Sequence, residues 1–157
     1  MKKILTIMVV LMIIILFFGV GQAQIYNNMI NEDFVIRTTR TILVSRMDII
    51  NSCIYEGLDL DIAKQKLKRI EGDVLLKDDL EYLTYLKENP TDFEYVYDLR
   101  ILNVSFVDNN LEKISFITEI EWDIKSYENE LTEVVKYEIE LLKVDNKFLL
   151  TKFKPLS

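Results

Sequence analysis

The sequence predicts an α+β domain of about three helices on a curved four-stranded antiparallel meander, preceded by one apolar membrane helix. Three observations carry that expectation. An unbroken apolar run opens the chain. Hydrophobic residues then recur at three- and four-residue spacings up to Asn89, as on amphipathic helices. From about Phe93 onward the period drops to two, the mark of half-buried strands.

Lys2 and Lys3 precede the apolar run, in which every residue from Ile4 to Phe18 except Thr6 is apolar, and the next charge after Lys3 is Glu32. A secretory signal holds about 7–15 apolar residues and a spanning helix about 17–25, so this segment sits at the border. Gly21-Gln22-Ala23 offers a small-x-small cleavage triplet that would release a chain starting at Gln24. The uncharged stretch nevertheless continues through Ile25, Tyr26, Met29 and Ile30, and that length favours retention. Residues 1–31 are therefore expected to hold a cytoplasmic Lys pair, a signal anchor and a short linker, with residues 32–157 forming an extracytoplasmic domain. Cleavage after Ala23 would make the same domain secreted. No cysteine stands directly after the apolar run, as a lipoprotein anchor would require.

The first domain helix is expected over "DFVIRTTRTILVSRMDIINSCIYEG", with Ile36, Leu43, Met47, Ile50 and Ile54 as its apolar stripe and Gly57 as its stop. Cys53 lies beside that stripe and reads as a small buried hydrophobe. "DLDIAKQKLKRIEG" is a second helix, capped by Asp59, burying Leu60, Ala63, Leu67 and Ile70, and closed by Gly72. A third, "DDLEYLTYLKEN", buries Leu80, Leu83 and Leu86 and stops at Asn89-Pro90. Asp59, Asp61, Glu71, Asp73, Asp78 and Asp79 lack the central Gly and ligand spacing of a calcium loop, and read as caps and first-turn acids.

In the second half, Ile114, Phe116, Thr118, Ile120, Trp122 and Ile124 share one strand face, and Val135, Tyr137, Ile139 and Leu141 share another. The strand before them alternates through Tyr95, Tyr97, Leu99 and Ile101, then changes phase to Val104 and Phe106. That slip predicts a β-bulge near Leu102-Asn103. Turns are expected at Asp108-Asn109-Asn110, Glu128-Asn129-Glu130 and Asp145-Asn146. Thr118 reads as structural, and Phe93, Tyr95 and Tyr97 as a cover for the sheet's end.

Composition excludes several functions. The chain carries a net charge of −7 and has no histidine and one cysteine. Without Lys2 and Lys3 the domain stands at −9, which argues against nucleic acid and against a polybasic membrane patch. The missing histidine removes Ser-His-Asp, Cys-His and His-metal chemistry, and one cysteine allows no intrachain disulfide. No catalytic, cofactor-binding or metal-ligating residue is expected. Lys64, Lys66, Lys68, Arg69 and Lys77 form a basic cluster in an acidic protein; a solvated helix face is the simpler reading, and Lys64, Lys68, Arg69 and Lys77 are the candidate contact for an anionic envelope component or an acidic partner.

The helix set, the long meander and the closing "VVKYEIELLKVDNKFLLTKFKPLS", with its Asp145-Asn146 turn and Phe148, resemble the nuclear transport factor 2-like, cystatin-like cone fold over about residues 34–157. The resemblance implies a fold more than an activity. Some members are small enzymes that work with Asp, Tyr or His in the cone. Others are non-catalytic ectodomains behind one membrane helix, including a scaffold subunit of conjugation and type IV secretion channels, and this layout matches the second group. The expectation is a membrane-anchored envelope module that binds other proteins, not an enzyme. A secreted ligand-binding domain or a histidine-free enzyme of the same fold is the alternative. A pilin-like subunit is a minor one, because "MKKILTIMVV" has neither the processing Gly nor the early Glu.

Overall fold

The computed structural model describes residues 30–89, 95–125 and 129–156. The apolar N-terminal run, Pro90, Phe93 and Glu128 lie outside them. Among the described residues no helix is long and apolar enough to cross a membrane.

Helix α1 spans Glu32–Tyr55, α2 Leu60–Leu67 and α3 Asp73–Glu88; strands β1 (Tyr95–Asn109), β2 (Lys113–Lys125), β3 (Glu130–Val144) and β4 (Lys147–Pro155) follow. The strands form one antiparallel meander in the order β1-β2-β3-β4, so the expected α+β architecture is what the chain adopts. Asn31 caps α1 by accepting from the Asp33 amide, and Gly57, at φ +73°, lets the chain leave its other end. Asp59 caps α2 as expected, accepting from the Asp61 and Ile62 amides.

Gly72 departs from expectation. It is not the stop of α2, which ends at Leu67, but the N-cap of α3, which begins five residues before "DDLEYLTYLKEN". Its amide donates to the Leu150 carbonyl at 2.9 Å while the Leu150 amide donates to Ile70 at 2.8 Å, joining the α2–α3 turn to β4. A Cβ at Gly72 would lie 2.9 Å from Thr151 Cγ2. Gly72→Ala is therefore expected to cost about 1–3 kcal/mol by overpacking. Thr151→Ser removes that methyl and keeps the hydroxyl, so the double variant should recover most of the loss in chemical denaturation.

Strand β1 pairs with β2 through three register shifts, at Val96/Asp98, Ile101/Asn103 and Phe106/Asp108. The middle one is the bulge that the phase change announced. Thr118, fully buried, donates its hydroxyl to the Asn103 carbonyl at that bulge, a structural role as expected. The first shift has no such signal, and it corrects the strand's opening: Val96 turns inward, whereas Tyr95 and Tyr97 are 40% and 45% exposed. β2 and β3 pair without a shift, and β3 returns to β4 through Asp145 and Asn146, both at positive φ, as a two-residue type I′ turn requires.

Two cores result. The larger joins Val35, Ile42, Leu43 and Leu75 of the helices to Leu99, Ile114, Phe116, Ile120, Ile139, Leu141 and Leu150 of the sheet. The smaller lies among the helices and contains Ile49, Cys53, Ala63, Leu67, Leu76 and Leu83. Cys53 is buried as expected, and that burial raises its pKa.

Candidate functional site

Helix α1 must serve both cores, so its buried row is not the expected Ile36-to-Ile54 stripe. The buried residues are Val35, Thr39, Ile42, Leu43, Ile49, Asn51 and Cys53; of the expected stripe Leu43 is among them, while Ile36, Met47, Ile50 and Ile54 are only half-buried. Arg46 falls in the middle of that row, between Ile42 and Ile49, and is mostly buried.

The structure meets this with two carboxylates. Arg46 Nε donates to Asp79 Oδ2 at 2.7 Å and to Glu71 Oε1 at 3.0 Å, and Nη2 donates to Asp79 Oδ1 at 2.6 Å. The bidentate pairing matches the guanidinium fork to the α3 carboxylate. Side-chain exposure is 17% for Arg46, 7% for Asp79 and zero for Glu71. Phe153 of β4 closes the other side, its ring centroid 5.3 Å from Arg46 Cζ.

Burial and the neighbouring Asp79 push the Glu71 carboxyl up to about 8, against the pull of Arg46. Glu71 is thus protonated at neutral pH. Its Oε2 is buried and has no hydrogen-bond partner among the described residues. Burial by itself would lower the Arg46 pKa, but Asp79 and Glu71 outweigh it and the net shift is upward.

This cluster sits beside a cleft of about 350 Å³ between α1 and the sheet, lined by residues including Arg46, Ile50, Trp122, Ile124, Tyr137 and Phe153. Tyr137 and Phe153 stack at 4.3 Å and 12°, with Trp122 edge-on to both at 6.0 and 6.3 Å. Asn51, buried on α1, donates to the Val96 carbonyl at 2.6 Å and holds the inward-turned start of β1 against the helix. Tyr82 and Glu133 stand exposed at the rim. Burial raises the Tyr137 pKa further above its ordinary value; a weaker pull from Trp122 opposes it. Such a phenol is a poor proton-transfer group at neutral pH. Among the described residues no group of three His, Cys, Asp or Glu is placed to hold a metal ion.

The four cations singled out in the sequence are all exposed. Lys64 and Lys77 line a shallow groove between α2 and α3, together with Asp73, Glu81 and Glu88, and Lys77 pairs with Glu81 at 3.6 Å. Lys68 and Arg69 do not line it. The reading of every acid in this region as a cap or first-turn residue is corrected for three of them, Asp78 being an exposed residue in the second turn of α3. Asp59, Asp61 and Asp73 fill that role, but Glu71 and Asp79 are buried counter-groups of Arg46. The signal was an Arg at the i+4 position from Ile42, among the uncharged buried residues of that helix, where a buried cation needs carboxylates from elsewhere.

No family model matches this chain, and no curated protein matches it. Among solved structures it is similar to the crystal structure of the intermembrane space region of chloroplast protein ARC6, with 14% identity and a TM-score of 0.45, over 78% of this chain and 96% of that one. That degree of likeness identifies neither a family nor a function.

Proposed function

We propose that this chain is a non-catalytic binding module, held outside the membrane by its N-terminal apolar segment, with the aromatic cleft between α1 and the sheet as its ligand site. The observation that carries the reading is the cleft itself: an apolar, aromatic-lined concavity with few polar groups, the usual make-up of a binding pocket. The neighbouring charges favour binding over catalysis. Arg46 is engaged by Asp79 and Glu71, Tyr137 is shifted away from neutral, and the chain has no histidine. Membership of the nuclear transport factor 2-like ectodomains, and a place among other envelope proteins in a secretion- or conjugation-type assembly, belong to the same proposal. So does a second contact, for an acidic protein segment, at Lys64, Lys68, Arg69 and Lys77. It is favoured by the absence of any ion pair to Lys64, Lys68 or Arg69 among the described residues.

The test combines topology with occupancy. Full-length protein is expected in the carbonate-resistant membrane fraction, with its C-terminus accessible from outside. A photo-crosslinking amino acid at Tyr82, on the cleft rim, should capture an adduct that the same group at Glu112, in the β1–β2 turn, does not. A soluble mass beginning at Gln24 would sink the anchor; equal capture at both positions would sink the cleft.

A further inference from the structure

We propose that the cleft takes an uncharged apolar molecule carrying a hydrogen-bond acceptor such as an amide, ester or ketone carbonyl, placed on the unengaged edge of Arg46. This deepens the cleft reading above and rests on it. The class follows from what the walls offer. Ile50, Ile124, Val135 and the Trp122–Tyr137–Phe153 cluster supply an apolar body site. Arg46 uses Nε and Nη2 on its carboxylates, which leaves Nη1 with no acceptor among the described residues on a side chain that lines the cleft.

Charge decides against the ionic alternatives. An anion would meet an arginine already neutralised by Asp79, with Glu71 behind it and Glu133 at the rim. Whether Glu71 is protonated or not, these groups carry no surplus positive charge, so a bound carboxylate would lose its hydration without a counter-charge. A cation would need an open ring face. Phe153 already has Arg46 over it and Tyr137 stacked against it, so a second cation would also face the guanidinium. An uncharged acceptor avoids both costs while giving Nη1 a partner.

Trp122 is the chain's single tryptophan and lines the cleft, so fluorescence excited at the red edge, beyond tyrosine absorption, reports on this site. Full-length protein in lipid nanodiscs, with empty nanodiscs as blank, is titrated with four probes that share one body: 4-butylbenzamide, 4-butylbenzoate, 4-butylbenzylamine and butylbenzene. The amide is expected to give a saturable change at a Kd at least tenfold below each of the other three. Tyr82→Ala, at an exposed rim position, should weaken the amide several-fold without changing the unfolding midpoint. If the benzoate or benzylamine equals the amide, the uncharged class is wrong. If butylbenzene equals it, the Arg46 contact is wrong. In both cases the cleft survives as a binding site. If no probe gives a saturable change, the inference and the cleft reading fall together.

Discussion

Arg46→Met is expected to destabilise the domain by about 3–5 kcal/mol, because it leaves Asp79 charged and buried without its partner. Methionine keeps most of the apolar stem, so packing loss is a minor part of that figure. Adding Asp79→Leu should restore most of the stability. With Glu71 neutral, the double variant leaves no charge in the cluster, and a well-packed apolar replacement of a buried ion pair is often neutral or better. Urea unfolding of the single and double variants gives the coupling directly. A single-variant loss below about 1 kcal/mol would place the cluster in the range of exposed surface pairs and contradict its burial.

The second large effect is a loss of stability as pH rises through neutrality. Glu71 ionises near 8 in the folded protein against an ordinary value of 4.5, so the folded state keeps a proton that the unfolded state has released. Its stabilising contribution is complete below about 4.5, shrinks as pH climbs and is gone above about 8. Glu140 acts with the opposite sign. The hydrogen bond from Lys113 Nζ, at 2.7 Å, holds its pKa below the ordinary value, so its contribution disappears as pH falls through the acid range. Glu71→Gln keeps the volume and a donor toward Asp79 but cannot ionise. Unfolding curves at pH 5, 7 and 9 should fall steadily for the native chain and stay nearly level for this variant. Parallel pH dependence in the two proteins would show that Glu71 is not the titrating group.

Elements whose stability is local are legible in the amino-acid order alone. Asp59 caps α2 through its own side chain, Gly57 occupies the positive φ its position needs, and Asp145-Asn146 makes the two-residue turn. The alternation of Ile114, Phe116, Thr118 and Ile120 identifies their buried face because a strand has only two faces. A helix has no such limit. α1 meets the sheet on one side and α2 and α3 on the other, so the centre of its buried arc depends on where those neighbours sit. The observed stripe is consequently rotated from the expected one, and that rotation is what hides Arg46 from a periodicity argument. Tyr95 and Tyr97 depart from expectation for a related reason, since a bulge at Val96/Asp98 reverses the alternation without any turn residue to announce it.

By itself the amino-acid order determined the succession of helices and strands, the meander, the middle bulge and the exclusion of histidine chemistry. Each of those depends on residues within a turn or two of one another, or on composition. Only the tertiary structure brought Arg46, Glu71 and Asp79 together from α1, the α2–α3 turn and α3, and opened the cleft beside them. The physical reason is that desolvation and charge pairing act through space. Glu71 looks like any other acid in a polar stretch until Leu150 and the Gly72–Thr151 contact pin its backbone to β4 and shut its carboxyl away from water.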